Sequence, residues 1–299
     1  MTDSVPPTRS VVPAPEIPPK QSTRQRSLTD RLFAPSNRLT WLAASALMIA
    51  LVLWISFTPS GILGKADAIG YAVCHRITVR SFAFPNGQQL PMCARCTGTF
   101  IGVLVGLLVP GLLYRRRRAG QFPIKPVVIS MIAVSAYWAF DGANSFTLLL
   151  PGHVPHLYEP TNFLRLVTGM FHGITMGSLI LPVANATLWE DVTPEPTLDN
   201  YWQYLGLMGI GVVLIAMVLS GWAIFLYPLA IVSAVGAMSI LAAVNTVVMT
   251  TLLKYENRSR TLRDAMPVIL FGFAVTISMI GVIDALRYAL FQTWGGFQF

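Results

Sequence analysis

Residues 74–108 read CHRITVRSFAFPNGQQLPMCARCTGTFIGVLVGLL and combine the three cysteines of the chain with the start of a long apolar stretch. The cysteines are Cys74, Cys93 and Cys96. Three glycines follow at four-residue spacing, Gly98, Gly102 and Gly106. Glycines at this spacing line one face of a helix and allow another helix to pack closely against it. The stretch therefore predicts a membrane helix that begins at a cluster of thiols and packs tightly against a neighbour.

The composition is that of a polytopic membrane protein. Of the 299 residues, 54% are hydrophobic and only 11% are charged, which leaves too little polar surface for a soluble domain. The net charge of +8 comes from basic residues next to apolar segments, where Lys and Arg set the topology of a membrane protein. Because the chain lacks a basic surface interleaved with aromatic residues, we expect a lipid bilayer as its main partner and no nucleic acid.

Seven apolar segments are long enough to cross a membrane, given that a helical span needs about 20 residues. Five of them cover approximately residues 39–57, 96–114, 127–150, 163–188 and 267–291. The stretch 201–254 would be roughly 80 Å long as a single helix, so it contains two further spans and folds back between Ser220 and Pro228. The predicted fold class is an all-α bundle of about seven transmembrane helices.

The two ends of the chain differ in composition. Residues 1–38 are rich in Pro, Ser, Thr and Arg and contain few large apolar groups that could offset the entropy lost on ordering. We therefore predict a disordered cytoplasmic tail over residues 1–38 and a transmembrane domain over residues 39–299. Within that domain, residues 58–97 are too many for a structureless connection, so we expect them to form a cysteine-containing cap on the bundle.

The basic residues predict the orientation in the membrane. With seven spans, the tail and the loops after the second and sixth spans lie on one side, and most of the 21 Lys and Arg residues are found there. Basic loops favour the cytoplasm, so the N-terminus is predicted to be cytoplasmic and the cysteine cap extracytoplasmic. Six basic residues fall on the cysteine side or in the outer halves of spans, and their charge needs another explanation: Lys65, Arg76, Arg80, Arg95, Arg165 and Arg287.

The cysteine segment resembles a family of prokaryotic membrane proteins known as domain of unknown function 2085. The resemblance rests on the patterns CH, RSF, GxQxP and CxRCxG between Cys74 and Gly98, followed by Gly102. It extends less specifically to Asp141, Gly142, Asn162, Arg165, Thr168 and Gly169. It covers about residues 71–177 and implies a multi-pass protein of a prokaryotic plasma membrane, without implying a particular activity.

The thiols allow three interpretations. The first is a metal site for zinc or another thiophilic ion, with Cys74, Cys93 and Cys96 as ligands and His75 as the fourth. Alternatives for the fourth position are His153, His156 and Asp141. The second is thiol-disulfide chemistry with a quinone, because a CxxC at the start of a helix favours a thiolate. The third is a structural disulfide between Cys74 and one of the other cysteines, with one spare thiol.

Charged residues within the predicted spans indicate a polar pocket under the cysteine cap. Asp141, Arg165, Asp284 and Arg287 all fall in the outer third of their spans, at the depth of the CxxC. Arginines in a medium of low dielectric attract negative charge, so such a pocket suits an anionic head group or a quinone carbonyl. Alternatively, Asp141 with Arg165 and Asp284 with Arg287 form ion pairs that only fix the packing.

The leading hypothesis is an integral membrane protein whose metal-binding cysteine and histidine residues organise the mouth of this pocket. One competing hypothesis is a membrane thiol oxidoreductase that uses Cys93 and Cys96 with a quinone. Another is a non-catalytic subunit that packs against a membrane protein partner or a second copy of the chain. The sequence contains none of the motifs typical of nucleotide binding, Ser/His/Asp hydrolysis or zinc peptidases, so enzymatic activity is left open.

Overall fold

The computed structural model of the protein describes residues 35–147 and 157–297, which form a helical bundle. Over these ranges the elements are α1 (Pro35–Phe57), α2 (Gly61–Val73), α3 (Ala94–Leu108, extended by a π-helical turn Val109–Leu113), β1 (Ala119–Gln121), α4 (Lys125–Phe146), α5 (Asn162–Leu188), β2 (Thr193–Pro196), α6 (Tyr201–Leu219), α7 (Ala223–Leu252) and α8 (Leu262–Phe291). All the helices except α2 are long and apolar enough to cross a membrane. The prediction of an all-α bundle with about seven spans is confirmed. The predicted disordered tail lies almost entirely outside the described residues.

The closest packing in the bundle is between α3 and α5. The three glycines of α3 lie against the backbone of α5, and a Cβ added to Gly102 would overlap the carbonyl oxygen of Met170. Helix α5 has the same spacing at Gly169, Gly173 and Gly177, which lie against the backbone of α3 in turn. The two glycine faces therefore interlock, and the close helix contact predicted from the GxxxG pattern is confirmed.

Helices α6 and α7 form the hairpin predicted within residues 201–254. Helix α6 ends at Leu219, Gly221 adopts a left-handed backbone with φ of 70°, and α7 begins at Ala223. Glycine adopts this conformation at little cost, so the chain reverses within a few residues. The turn therefore lies at the start of the predicted interval from Ser220 to Pro228, and Pro228 itself belongs to α7.

Three connections meet at one end of the bundle, namely those that follow α3, α5 and α7. Strands β1 and β2 pair in parallel there, and Arg260 forms an ion pair with Glu190. The cysteine segment lies at the other end, because α5 starts beside it, where Asn162 donates a hydrogen bond to the carbonyl of Val79 (3.2 Å). The helices therefore separate the cysteines from the basic run at residues 115–118.

The segment between α1 and α3 folds against the bundle. It contains α2, a 3₁₀ turn at Thr78–Arg80 and a tight turn in which Gly87 has a φ of 82°. Leu90 and Met92, which follow that turn, are buried. These apolar anchors bring the chain back from the end of α2 to the start of α3.

Candidate metal centre

The three cysteines come together where α2 ends and α3 begins. Cys74 directly follows α2, Cys93 directly precedes α3, and Cys96 lies in the first turn of α3. Cys74 and Cys93 are buried, Cys96 is partly buried, and all three are free thiols. The folded segment between the two helices thus brings residues from both ends of the motif to one place.

Metal-ligand atoms converge at this place. A ring nitrogen of His75 and the sulfur atoms of Cys74 and Cys93 all lie within 4.8 Å of one another. The thiol of Cys96 is close enough to form hydrogen bonds with the thiols of Cys74 and Cys93. In a tetrahedral zinc site with Zn–S bonds of about 2.3 Å, the sulfur atoms are about 3.8 Å apart. The ligand atoms of Cys74, His75 and Cys93 therefore lie at a spacing close to that of such a site, and Cys96 adjoins them.

The chain turns directly after the adjacent residues Cys74 and His75. Arg76 has a φ of 53°, a conformation that costs a residue with a side chain about 1–3 kcal/mol. The backbone N–H groups of Arg76 and Cys93 both donate to the sulfur of Cys74 at 3.4 Å. The N–H of Ile77 donates to Nδ1 of His75 at 3.1 Å, a bond that the ring would give up on binding a metal, because the other nitrogen of a neutral imidazole then carries the proton. The backbone thus prepares Cys74 for a negative charge, because hydrogen bonds to a charged form favour it.

Neighbouring side chains hold this turn from several directions. Gln89 donates through Nε2 to the carbonyl of Arg76 (2.8 Å) and to the hydroxyl of Ser81 (2.8 Å). The guanidinium of Arg76 forms an ion pair with Asp67 at 2.7 Å. Gly296 packs so closely that an added Cβ would overlap the carbonyl of Arg76. The GxQxP and RSF residues of the sequence pattern therefore support the turn that presents the ligands.

Arg287 binds the backbone at the end of α2. Its guanidinium donates to the carbonyls of Tyr71 and Cys74, the latter at 2.8 Å. The last carbonyls of a helix lack partners within the helix, and a cation placed there satisfies them. The ion pair considered between Arg287 and Asp284 does not form, because Arg287 is engaged by these carbonyls and Asp284 accepts a hydrogen bond from the indole of Trp54 (3.0 Å). Arg287 therefore positions Cys74 through its main chain.

The thiols of the cluster do not share protons equally. Hydrogen bonds from the thiols of Cys93 and Cys96 lower the pKa of Cys74 well below its ordinary value. The same contact with Cys74 raises the pKa of Cys93 to about 12. Burial lowers the pKa of His75 and keeps its imidazole neutral, which is the form that binds metals. The first negative charge of the cluster therefore falls on Cys74.

Asp141 belongs to a second polar group on α3, α4 and α5. Its fully buried carboxylate forms an ion pair with Arg95 and accepts a hydrogen bond from the hydroxyl of Tyr158 at 2.7 Å. The ion pair considered between Asp141 and Arg165 does not form, because Arg95 takes that position and Arg165 donates to the side chain of Asn162 (2.9 Å). The carboxylate thus joins α4 to the start of α3.

Of the described candidates for the fourth metal ligand, His75 is the one that lies with the cysteines. Asp141 has both carboxylate oxygens bonded, one to Arg95 and one to Tyr158. His153 and His156 lie outside the described residues. On the described part of the chain, the ligand atoms that lie within 4.8 Å of one another are therefore those of Cys74, His75 and Cys93, with the thiol of Cys96 beside the other two thiols.

The four residues predicted to line one pocket divide into two groups. Asp141 and Arg165 lie with Arg95, whereas Asp284 and Arg287 lie near the end of α2. Within the described residues, no hydrogen bond or ion pair connects the two groups. The cysteine cluster has one group beside Cys93 and the other beside Cys74.

Two features of the site were missed by sequence reasoning. Nothing in the sequence signals the bond from Tyr158 to Asp141, because Tyr158 lies in a connection between spans. The pairing of Arg95 with Asp141 does have a signal, since a charge in the outer part of a span calls for an opposite charge at the same depth. The second glycine motif, on α5, is equally visible in the sequence.

Residues 74–179 match the family described as "Predicted membrane protein (DUF2085)". An uncharacterized protein of Methanocaldococcus jannaschii is 34% identical over 116 residues, which cover 39% of this chain and 66% of that relative. An uncharacterized protein of Methanothermobacter thermautotrophicus is 28% identical over 107 residues, which cover 36% of this chain and 83% of that relative. No solved structure matches the chain significantly.

The matched region contains the entire cysteine cluster together with Asp141 and Arg165. Helix α1 and the helices from α6 onward lie outside it, so Asp284 and Arg287 belong to the part that the family does not cover. The resemblance predicted from the cysteine pattern is confirmed. Over residues 74–179, the chain is therefore similar to the DUF2085 family of membrane proteins.

Proposed function

We propose that this membrane protein binds one zinc-like metal ion through Cys74, His75, Cys93 and Cys96. The observation that carries the proposal is the convergence of two sulfur atoms and an imidazole nitrogen within 4.8 Å, with the thiol of Cys96 in contact with both other thiols. Thiolates and neutral imidazole are ligands that zinc prefers, and four is its usual coordination number in structural sites. The ion would sit over the polar side chains that α3, α4 and α5 contribute at this end of the bundle.

A metal accounts for more of the site than a disulfide does. A disulfide uses two sulfur atoms and leaves the third sulfur and His75 without a role. The two N–H groups directed at Cys74 hold its sulfur in place, as the outer shell of a metal site does. With all four coordination positions filled by protein ligands, the ion would form a structural site that links the end of α2 to the start of α3. Such a site has no open position for catalysis.

The first prediction is that protein purified in mild detergent contains about one equivalent of metal and that its thiols react fully only after chelation. Metal content is measured by mass spectrometry, and free thiols are counted with a chromogenic reagent before and after a chelator is added. Absence of metal, together with a disulfide between Cys93 and Cys96 that a reductant opens, would overturn the proposal. That result would support the thiol-disulfide alternative instead.

We further infer that the cysteine end of the bundle faces away from the cytoplasm. Basic residues are concentrated at the opposite end, and an excess of Lys and Arg in loops favours the cytoplasmic side. The described basic residues at that end are Arg38, Arg115, Arg116, Arg117, Arg118, Lys125, Lys254, Arg258, Arg260 and Arg263.

This orientation predicts which introduced cysteine a membrane-impermeant maleimide reaches. Val79 is 80% exposed at the cysteine end, and the side chain of Asp191 is 69% exposed at the opposite end. We expect Val79→Cys to be labelled in intact cells and Asp191→Cys to be labelled only in inverted membrane vesicles. The unmodified chain controls for the native cysteines. The reverse labelling pattern would refute the orientation and leave the metal proposal standing.

A further inference from the structure

Three arginines cluster beside Cys93 and His75. Arg80 closes the 3₁₀ turn of the cap, Arg95 lies in the first turn of α3, and Arg165 lies in the first turn of α5. The three guanidinium groups are close enough to repel one another, and all three act electrostatically on His75. Three separate elements therefore direct positive charge to one place.

These arginines are largely withdrawn from water. Arg80 is 8% exposed, Arg165 is 5% exposed, and the side chain of Arg95 is 18% exposed. A buried charge without a counter-charge is unfavourable, and charged residues at membrane depth pair with one another or line a polar cavity. A negatively charged partner would therefore stabilise these guanidinium groups.

At this place the described residues carry less negative charge than positive charge. Among the described residues, Asp141 is the one carboxylate that forms an ion pair with any of the three arginines. Residues 148–156, which the structure does not describe, contain neither Asp nor Glu. Three guanidinium groups therefore share one carboxylate as an ion-pair partner.

Several hydrogen-bond donors of the arginines are also left without partners. Arg80 donates to the carbonyl of Ser145 at 2.8 Å and Arg165 donates to Asn162 at 2.9 Å. The Nε atoms of Arg95 and Arg165 are buried and have no hydrogen-bond partner. A guanidinium has five N–H donors in a planar fork that matches the oxygens of a phosphate or a carboxylate. The unused donors therefore suit an oxygen-bearing anion.

We propose that Arg80, Arg95 and Arg165 form a binding site for an oxyanion, a phosphate or a carboxylate group, next to the cysteine and histidine cluster. The anion balances the remaining positive charge and accepts hydrogen bonds from the free donors. This site explains three of the six basic residues that do not fit the topology rule. It does not require a bound metal, so it can be tested apart from the proposed function.

The experiment uses the full chain purified in a neutral detergent at constant ionic strength set with chloride. Sodium phosphate, sodium acetate and dihexanoyl phosphatidic acid are titrated separately, with dihexanoyl phosphatidylcholine as the zwitterionic control. Binding is measured by calorimetry and by the midpoint of thermal unfolding. We expect binding of at least one of the three anions and none of the control lipid. A response to phosphate or acetate identifies a soluble anion, and a response to phosphatidic acid alone identifies a lipid head group. No response to any of the three anions overturns the proposal.

Arginine variants locate the binding. Arg165→Gln is expected to weaken it at least about tenfold, because charge-assisted hydrogen bonds are lost, whereas Arg165→Lys keeps part of the affinity. Arg116→Gln is the matched control, since Arg116 forms ion pairs with Glu195 and Asp199 at the opposite end of the bundle. Unchanged affinity in Arg165→Gln would overturn the proposal. If that variant does not fold, Arg80→Gln provides the same test.

Metal content is measured on the same samples, which keeps the two proposals distinguishable. Anion binding that is lost in Arg165→Gln while metal is retained supports a separate anion site. Anion binding by a wild-type protein that contains no metal would also support the anion site, and it would count against the proposed function alone.

Discussion

The Cys74→Ser variant is expected to lose its metal, with an affinity more than about 100-fold lower, the upper end of the loss seen for outer-shell partners of metal ligands. Cys74 is the centre of the cluster, because its sulfur accepts both backbone hydrogen bonds and contacts the thiols of Cys93 and Cys96. A serine hydroxyl does not ionise at neutral pH and is a weaker ligand for a thiophilic ion. Metal content after purification and competition with a chromogenic chelator measure the loss.

Two histidine variants test the nitrogen ligand. His75→Gln is expected to weaken metal binding at least about tenfold, as loss of a ligand exceeds loss of an outer-shell partner. His172→Gln is the matched control, because the ring of His172 stacks on Trp138 with 4.0 Å between ring centroids and lies 3.1 Å from the hydroxyl of Ser135. Equal metal content in the two variants would exclude His75 as a ligand. Thermal unfolding midpoints of both variants equal to that of wild type would show that a difference in metal content reflects binding and not folding.

The spans and their closest contact could be predicted because both depend on short-range patterns. A span is recognised by the length of an apolar run, and a close helix contact by small residues four positions apart. The same rule applied to Gly169, Gly173 and Gly177 identifies α5 as the partner of α3, since no other described pair of helices contributes two such faces.

The pairing of charged side chains could not be predicted in this way. Asp284 and Arg287 are three residues apart on one helix, a spacing that permits a local ion pair. In the folded chain, however, Arg287 meets unpaired carbonyls at the end of α2 and Asp284 meets the indole of Trp54. Asp141 likewise pairs with Arg95 on another helix. These partners depend on how the helices are rotated relative to one another. The sequence of a single helix does not determine that rotation.

The convergence of Cys74 and His75 could not be predicted from the sequence. The two residues are adjacent, and adjacent side chains usually diverge, yet their ligand atoms lie within 4.8 Å of each other. Directly after them the chain turns through a left-handed Arg76, a conformation that a residue other than glycine does not signal in the sequence. The proposed ligands were therefore predictable by residue type, whereas the turn beside them, held by Gln89 and Gly296, was not.

The Gly102→Ala variant is expected to lower the free energy of unfolding by about 1–3 kcal/mol, the usual cost of overpacking. The new Cβ would overlap the carbonyl oxygen of Met170, and a backbone atom cannot move aside as a flexible side chain can. Helices α3 and α5 must therefore separate along their whole interlocked face. Gly102→Leu is expected to prevent the two helices from packing at all. Unfolding in detergent micelles by increasing sodium dodecyl sulfate, followed by circular dichroism, measures the effect.

Gly209→Ala is the control that separates helix packing from helix propensity. Gly209 lies within α6, where an added Cβ has nothing within 4 Å. Alanine is favoured over glycine in a helix by up to about 1 kcal/mol, so this variant should be as stable as wild type or slightly more stable. Wild-type stability in Gly102→Ala would contradict the close approach of α3 and α5. If Gly102→Ala lowers the free energy of unfolding and Gly209→Ala does not, the metal affinity of Gly102→Ala should also be lower. The start of α3 carries Cys93 and Cys96, and the contact between α3 and α5 holds it in place.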